Sequence, residues 1–258
     1  MHFSDEPLVI AFIFAFGAAW GSFLNVLVYR LPREVSVLRE PPSSCPACAT
    51  PIRWYDNIPL VSWIALRGRC RSCKAPISVR YPLVELAAGV LAVLAFLRWG
   101  VSVTGVEVTV FAWVSLALGL IDLDFQILPD VLTYPSIAFG LACSALGGYT
   151  WWLDSLLGAA VGALLPILVI VIYKLWRGIE GMGWGDVKYL AAIGAVVGLR
   201  GVVGVLIVGA SVGAIFGLGM ILAGRGSGKT PLPFGTFLAL AALLWLYAPP
   251  AWFAWMPL

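Results

Sequence analysis

Long apolar stretches alternate with shorter polar segments along almost the whole chain. An α-helix needs about 20 apolar residues to cross a bilayer, and backbone in hydrocarbon must hydrogen-bond within itself, so these stretches predict membrane-spanning helices. One of them is short for a span, but it ends beside Arg200 and is counted as the sixth. The eight predicted spans are 8–29, 82–97, 102–121, 131–148, 155–173, 187–199, 201–223 and 232–248.

The composition agrees with a membrane protein. Hydrophobic residues occupy 61% of the 258 positions, charged residues only 11%, and the mean hydropathy is +0.97. A soluble domain has roughly 45–50% apolar and about 25% charged residues. The formal net charge of +3 is explained by membrane orientation, so nucleic acid is not an expected partner. The predicted fold class is an all-α polytopic membrane protein with about eight transmembrane helices.

The lysines and arginines predict the direction of the spans. If all eight spans cross and the N-terminus starts outside, only Arg98 and Arg200 remain outside. Cytoplasmic loops carry an excess of basic residues, so both termini are predicted to face away from the cytoplasm. The 14 basic residues on the inner side are Arg30, Arg33, Arg39, Arg53, Arg67, Arg69, Arg71, Lys74, Arg80, Lys174, Arg177, Lys188, Arg225 and Lys229.

The longest polar segment, residues 30–81, follows the first span and contains an internal repeat. "CPACATPI" at 45–52 and "CRSCKAPI" at 70–77 share the pattern C-x-x-C-x-x-P-I. Paired C-x-x-C motifs are typical of structural zinc sites, and a reducing cytoplasm disfavours the alternative of two disulfides. We predict a small cytoplasmic zinc-ribbon-like insert after the first helix, with the ligands Cys45, Cys48, Cys70 and Cys73. Cys143 lies alone in the fourth span and is interpreted as a small core residue.

The segment between the two cysteine pairs, "RWYDNIPLVSWIALRGRC", mixes apolar, aromatic and basic residues. Such a mixture suits a module on the membrane surface, with rings at the headgroup level and arginines near lipid phosphate. This interpretation makes membrane lipids a partner of the chain. A binding surface for a protein partner or a cofactor at the cytoplasmic face is the alternative.

Two acidic clusters lie at predicted membrane boundaries. "GLIDLDFQILPDVLT" carries Asp122 and Asp124 where the third span meets the cytoplasm. "GMGWGDVKYL" places Asp186 at the start of the sixth span, on the same side of the membrane. Its glycines allow a tight turn and the approach of an extended peptide. Two carboxylates from distant positions are therefore expected at one membrane boundary.

A carboxylate pair in a poorly solvated site cannot easily ionise both members. The two groups then share one proton, and the pair can activate water while it protonates a leaving group, as in aspartic proteases. A helix cap and an ordinary boundary carboxylate remain the plainer interpretation of the same residues.

Three other acidic residues receive structural interpretations or stay open. Asp130 is interpreted as a helix-start or cap residue. Glu85 is assigned an interfacial structural role, and Glu107 is a functional candidate because intramembrane carboxylates are costly. Glycines at G-x-x-x-G spacing, such as Gly17 with Gly21, predict close helix packing.

These motifs together resemble the type IV prepilin peptidases. The resemblance runs in order along almost the whole chain, through "GSFLNVLVYRLP", both C-x-x-C pairs, "NIPLVSW", "YPLVE", "IDLDFQILPD", "GMGWGDVK" and "PFGTFLA". It implies that Asp122 and Asp186 are the catalytic aspartates, with Asp124 as the rival for the first role. One departure is Thr236, which stands where the family pattern P-F-G-P has its second proline.

The resemblance implies a bifunctional enzyme of the bacterial inner membrane. Prepilins of type IV pili or pseudopilins of type II secretion would be cut after glycine on the cytoplasmic side, and the new N-terminus would be methylated from S-adenosylmethionine. The implied domains are the first transmembrane helix at 1–29, the zinc module associated with methylation at 30–81 and the aspartic peptidase domain at 82–258. The sequence identifies no residues that bind the methyl donor.

Two other classes of function remain as alternatives. A proton-coupled transporter would also place carboxylates in the membrane, but near the midplane and in repeated halves. A zinc-bearing assembly scaffold would need the cysteines but not the aspartates.

The helix ends predict how the two aspartates share the proton. Asp186 would begin a helix, whose positive end favours negative charge, and Asp122 would end one, whose negative end disfavours it. Asp186 is therefore expected to carry the negative charge more often. Because coupled carboxylates titrate as a pair, this expectation concerns a bias between microstates.

Overall fold

The computed structural model describes residues 6–37, 44–178, 181–225, 230–249 and 252. Eight α-helices and two short 3₁₀ turns, Leu31–Arg33 and Trp54–Asn57, make up the regular structure of these residues, together with two isolated β-bridges. The helices are α1 Pro7–Arg30, α2 Val61–Ala65, α3 Arg80–Trp99, α4 Val103–Phe125, α5 Asp130–Ala145, α6 Trp152–Arg177, α7 Trp184–Leu222 and α8 Phe234–Tyr247.

The fold class predicted from the sequence is confirmed. Five helices of the described chain, α1, α3, α4, α6 and α7, are long and apolar enough to cross a membrane, and α8 is a shorter apolar helix. The four cysteines lie together in the polar segment after α1. The chain is therefore an all-α polytopic membrane protein with a small cysteine-bearing insert.

One difference from the predicted spans concerns 187–199 and 201–223, which belong to the single 39-residue element α7. Gly198 inside it has the non-helical angles φ 74° and ψ −175°. Gly162 of α6 packs against both Leu190 and Val202. A straight helix would separate those two positions by about 18 Å. The chain therefore reverses at Gly198, and two antiparallel halves of α7 lie against α6, as two separate spans would.

The chain divides into two compact units, residues 1–100 and 101–258. In the first unit α1 packs on α3, and a Cβ added at Gly21 would lie 2.6 Å from the Cα of Glu85. In the second unit α6 approaches α7 equally closely, since Gly158 and Gly194 meet through their backbones. The close packing predicted from the G-x-x-x-G spacing is present at both places.

The predicted functional division places a boundary between residues 81 and 82, whereas the compact units divide after Gly100. Helix α3 belongs to the first unit because it packs on α1. The assignment of methylation to 30–81 and of proteolysis to 82–258 stays a prediction.

Candidate active site and metal centre

Asp122 lies in the last turn of α4 and is buried. Its Oδ2 accepts a hydrogen bond of 2.7 Å from the backbone N–H of Thr236 and lies 3.2 Å from the Thr236 hydroxyl. Thr236 is in the first turn of α8, and its N–H also lies 3.2 Å from the carbonyl oxygen of Pro233, farther than from Oδ2 of Asp122. The carboxylate that ends one helix therefore caps the start of another.

Asp186 lies in the first turn of α7, three residues after the N-cap Gly183. The backbone of Gly183 hydrogen-bonds the Asp186 carboxylate. Asp186 is half-buried, and it lies close enough to Asp122 for the two carboxylates to interact electrostatically. The structure thus brings together two aspartates that are 64 positions apart in the sequence.

Leu128 holds the segments around this pair together. The Leu128 side chain is buried between two glycines, Gly185 at the start of α7 and Gly235 at the start of α8. A Cβ at Gly185 would lie 3.1 Å from Leu128, and one at Gly235 would lie 3.0 Å from both Leu128 and the Asp122 carboxyl carbon. Both backbones approach the leucine so closely that a side chain at either glycine would require the neighbouring atoms to shift. Sequence reasoning missed Leu128, since an apolar residue in a loop gives no chemical signal.

Asp124, the rival for the first catalytic role, is exposed. It is two residues from Asp122, and at 3.6 residues per turn its side chain leaves α4 about 200° away. The two aspartates therefore lie on opposite faces of α4, and only Asp122 faces the N-terminus of α8. This placement supports Asp122 over Asp124.

Pro129 is the N-cap of α5, so Asp130 is the helix-start residue that the sequence predicted and does not occupy the cap position. It forms an ion pair with Lys188 instead, and the Lys188 ammonium lies 5.5 Å from the centre of the Tyr134 ring. Lys188 is two positions after Asp186. The helix-start interpretation of Asp130 is thus confirmed, and its side chain joins α5 to α7 beside the aspartate pair.

The helix ends do not give the two aspartates the different electrostatic environments that the sequence predicted. Asp186 lies in the first turn of its own helix, as expected. Asp122 ends α4 but also faces the first turn of α8 through Thr236. Both carboxylates thus lie at positive helix ends. Asp186 is therefore no longer expected to carry the charge more often than Asp122. The sequence could not show this, because the contact between Asp122 and α8 joins residues 114 positions apart.

The four predicted metal ligands form one cluster. The sulfur atoms of Cys45, Cys48, Cys70 and Cys73 all lie within 4.8 Å of one another, and Cys45 and Cys73 are 3.8 Å apart. Tetrahedral zinc with bonds of about 2.3 Å places its sulfur ligands about 3.8 Å apart. All four are free thiols. The donor set therefore fits one structural zinc ion.

The internal repeat is visible in the backbone around these cysteines. In each copy the first cysteine donates its N–H to the carbonyl five residues later, Cys45 to Thr50 and Cys70 to Ala75. Each copy also closes with an isolated β-bridge, Ser44 to Pro51 and Arg69 to Pro76. Duplicated sequence thus folds into duplicated turns, which point two thiols each toward a common centre.

Hydrogen bonds shift the pKa of two of the thiols in the direction of the thiolate form, which is the form that binds metal. A side-chain hydrogen bond with Thr50 lowers the pKa of Cys48 to about 6. Backbone hydrogen bonds from Cys73 and Ser72 lower the pKa of Cys70. Beside the cluster, the hydrogen-bonded Arg71 guanidinium holds the pKa of Asp56 below its usual range.

Glu85 joins this module to the helices of the first unit. It is buried in α3, and its Oε2 accepts a hydrogen bond of 2.8 Å from the N–H of Leu60. Leu60 itself has a positive φ of 61°, which is rare for a leucine. The contact supports the structural role assigned to Glu85 from the sequence.

The opposite end of the second unit holds two other acids, the buried Glu107 and the half-buried Asp154. Glu107 is fully buried, and its Oε2 accepts a hydrogen bond of 2.6 Å from the N–H of Tyr149. Asp154 accepts hydrogen bonds from Leu199 and from the Thr150 hydroxyl. Both residues lie away from Asp122 and Asp186 and hold loops in place. Cys143 is buried close to Glu107, as expected of a core residue.

Comparison with known sequences gives two matches in chain order. The bacterial peptidase A24 N-terminal domain matches residues 15–99, and the type IV leader peptidase family matches residues 109–218. A prepilin leader peptidase/N-methyltransferase of Aeromonas salmonicida is 40% identical over 95% of this chain and 94% of its own. The chain belongs to the type IV leader peptidase family.

Two further relatives carry the same name. The protein of Pseudomonas aeruginosa is 41% identical over 89% of this chain and 88% of its own length. The protein of Myxococcus xanthus is 42% identical over 87% of this chain and 67% of its own length. No solved structure matches the chain. The family match agrees with the resemblance derived from the motifs.

Proposed function

We propose that this chain is an integral inner-membrane enzyme that cleaves the leader peptides of prepilins or pseudopilins and then methylates the new N-terminus. The observation that carries the peptidase activity is the convergence of Asp122 and Asp186 at one end of the second unit. The relatives are named for both activities, which supports the bifunctional assignment.

The pair performs aspartic protease chemistry. One aspartate accepts a proton from water as the water attacks the scissile carbonyl, and the other donates a proton to the leaving amine. The glycines around Asp186 and Gly235 let an extended peptide come close to the carboxylates. The Asp130–Lys188 ion pair links α5 and α7 beside the site.

Methylation uses S-adenosylmethionine as the donor, and the four-cysteine module is the part of the chain associated with it. Cys45, Cys48, Cys70 and Cys73 would hold zinc as a structural ion, because four thiolate ligands would complete its coordination and leave no position for substrate. The ion would fix the two cysteine turns against each other. Cleavage belongs to the aspartates.

The active site faces the cytoplasm, and both termini face the periplasm. Lys188 lies at the end of the second unit that holds the aspartate pair, as does the C-terminus of α6 with Arg177. Arg200 lies beyond the reversal at Gly198, at the opposite end. This distribution supports the orientation predicted from the basic residues.

The test is cleavage of a purified prepilin in detergent by single Asp to Asn variants. Asp122→Asn and Asp186→Asn should each abolish cleavage, because a neutral amide neither takes nor gives the proton. Asp124→Asn is the matched control on the exposed face of α4 and should keep substantial activity.

Full cleavage by the Asp122 variant together with loss in the Asp124 variant would move the site by two residues. Cleavage that survives both substitutions, at Asp122 and at Asp186, would refute the peptidase mechanism and leave the transporter or scaffold alternatives. The comparison therefore separates the three classes of function.

A further inference from the structure

Thr236 offers one hydroxyl proton to two acceptors. Its Oγ1 lies 2.8 Å from the carbonyl oxygen of Gly119 and 3.2 Å from Oδ2 of Asp122. The backbone N–H of the same residue is 2.7 Å from that Oδ2 and is fixed by the first turn of α8. A threonine hydroxyl carries a single proton and can rotate, so it can donate to only one acceptor fully at a time.

The choice of acceptor depends on whether Asp122 holds a proton. A protonated Asp122 can donate to Thr236 Oγ1, which then donates to the Gly119 carbonyl. An ionised Asp122 accepts only, and the hydroxyl can then turn to Oδ2 as a second donor beside the N–H. Both arrangements leave Thr236 hydrogen-bonded, and only the position of its hydroxyl proton differs.

Asp122 passes through both states if it belongs to the catalytic pair. Water loses one proton to the pair as it attacks the scissile carbonyl, and the pair gives one proton to the leaving amine. Whichever aspartate starts with the charge, each gains and loses a proton within one turnover. A buried carboxylate with too few hydrogen bonds costs free energy in a poorly solvated site. A hydroxyl donor that turns toward Asp122 when Asp122 is ionised avoids this cost.

We propose that Thr236 is a positioning residue of the peptidase reaction, whose hydroxyl turns between the Gly119 carbonyl and the Asp122 carboxylate as Asp122 loses and regains its proton. The inference rests on the proposed function. The N–H of Thr236 fixes the carboxylate, and the hydroxyl adapts to its charge.

The test compares steady-state cleavage of a prepilin, one that the Pseudomonas aeruginosa relative processes, by Thr236→Val, Thr236→Ala and Thr236→Ser. The first two variants keep the backbone N–H and lose the hydroxyl, and the third keeps both donors. Removing a hydrogen bond to a charged group should lower kcat by about 10- to 100-fold in both the valine and alanine variants. KM should stay within about twofold, because the effect belongs to steps after binding, and serine should restore most of kcat.

Thr109→Val is the matched control. Thr109 lies in α4 and donates its hydroxyl to the Gly105 carbonyl at 2.7 Å, away from Asp122. The substitution removes the same hydroxyl group from α4, the helix that also carries Asp122, and should leave kcat and KM unchanged. Thermal unfolding of all variants in detergent shows that a lower kcat does not come from lost structure.

Each other outcome is decisive. Wild-type kcat in either hydroxyl-free variant, a rise in KM at constant kcat, or failure of serine to restore kcat would overturn the role of Thr236. Asp122→Asn is assayed in parallel. If that variant is inactive while Thr236→Val is fully active, only the positioning role fails, whereas activity of the Asp122 variant would refute the proposed function itself.

Discussion

The two cysteine turns share the pattern C-x-x-C-x-x-P-I and the backbone conformation at matching positions. Ala49 and Lys74 occupy matching places in the two copies, and both adopt a left-handed φ, 55° and 61°. Each also donates its N–H to the carbonyl of the first cysteine in its copy. The short motif alone therefore specifies the local turn. What it cannot specify is that the second copy meets the first.

The cysteine module should bind one zinc ion per chain. Elemental analysis of protein purified without chelator should give a stoichiometry of about one, since four thiolates complete a structural site. Cys73→Ala should lose most of the zinc and make residues 44–78 more sensitive to protease, because metal binding supplies folding energy. Prepilin cleavage should persist in part.

Cys143→Ala is the control for this experiment. Cys143 is buried in α5, apart from the cluster, so its loss should not change the zinc content. Protein without zinc, or equal zinc loss in the two variants, would contradict the assignment of the ligands.

At the scale of elements, the break in α7 decides where Asp186 lies. Gly198 combines φ 74° with ψ −175°, a conformation open in practice to glycine alone. Asp154 accepts a hydrogen bond of 3.1 Å from Leu199 N–H directly after the break. The first half of α7 therefore runs from Asp186 to the reversal, and the second half returns to the same end.

Gly198→Ala should destabilise the protein by about 1–3 kcal/mol, the usual cost of a residue forced into such a backbone conformation. The added methyl group would also meet the carboxylate of Asp154. A lower Tm in detergent, measured by a thermal shift assay, is the expected result. Prepilin cleavage should also fall if the substitution disturbs the chain reversal at Gly198, because the position of Asp186 depends on the first half of α7.

Gly219→Ala supplies the comparison within the same helix. A Cβ at Gly219 meets no atom within 4 Å, and alanine favours a helix over glycine by about 1 kcal/mol. Its Tm should be unchanged or slightly higher. Equal losses of stability in the two variants would contradict the special role of Gly198.

At the scale of the whole molecule, the second unit has two chemically different ends. One end holds the aspartate pair with Lys188, and the other holds the loops fixed by Glu107 and Asp154. The reversal at Gly198 separates Lys188 from Arg200. Basic residues determine the orientation of a membrane protein, so the end with Asp122 and Asp186 is expected to face the cytoplasm.

Fusion reporters test this orientation. A periplasm-active phosphatase fused after Leu258 should be active, and the same enzyme fused after Arg177 should be inactive. A reporter active only in the cytoplasm should give the reverse pattern at both sites. Cytoplasmic activity after Leu258 would contradict both the orientation and the count of eight crossings.

The sequence by itself determined the features that depend on neighbours along the chain. Apolar length placed α1, α3, α4 and α6 within a few residues, because a span is defined by its own contact with hydrocarbon. The spacing of the cysteines indicated the metal cluster, since two short turns supply all four thiols. The pairing of Asp122 with Asp186 also followed from the shared membrane boundary of two short motifs.

Only the tertiary structure decided which group faces each carboxylate. Thr236 reaches Asp122 across 114 positions, and Lys188 reaches Asp130 across 58. The sequence assigned Asp122 to a negative helix end and Asp130 to a helix start or cap, because it shows only the helix that contains each residue. A buried carboxylate is instead governed by the nearest donors in space, and the packing of α8 and α7 sets those donors.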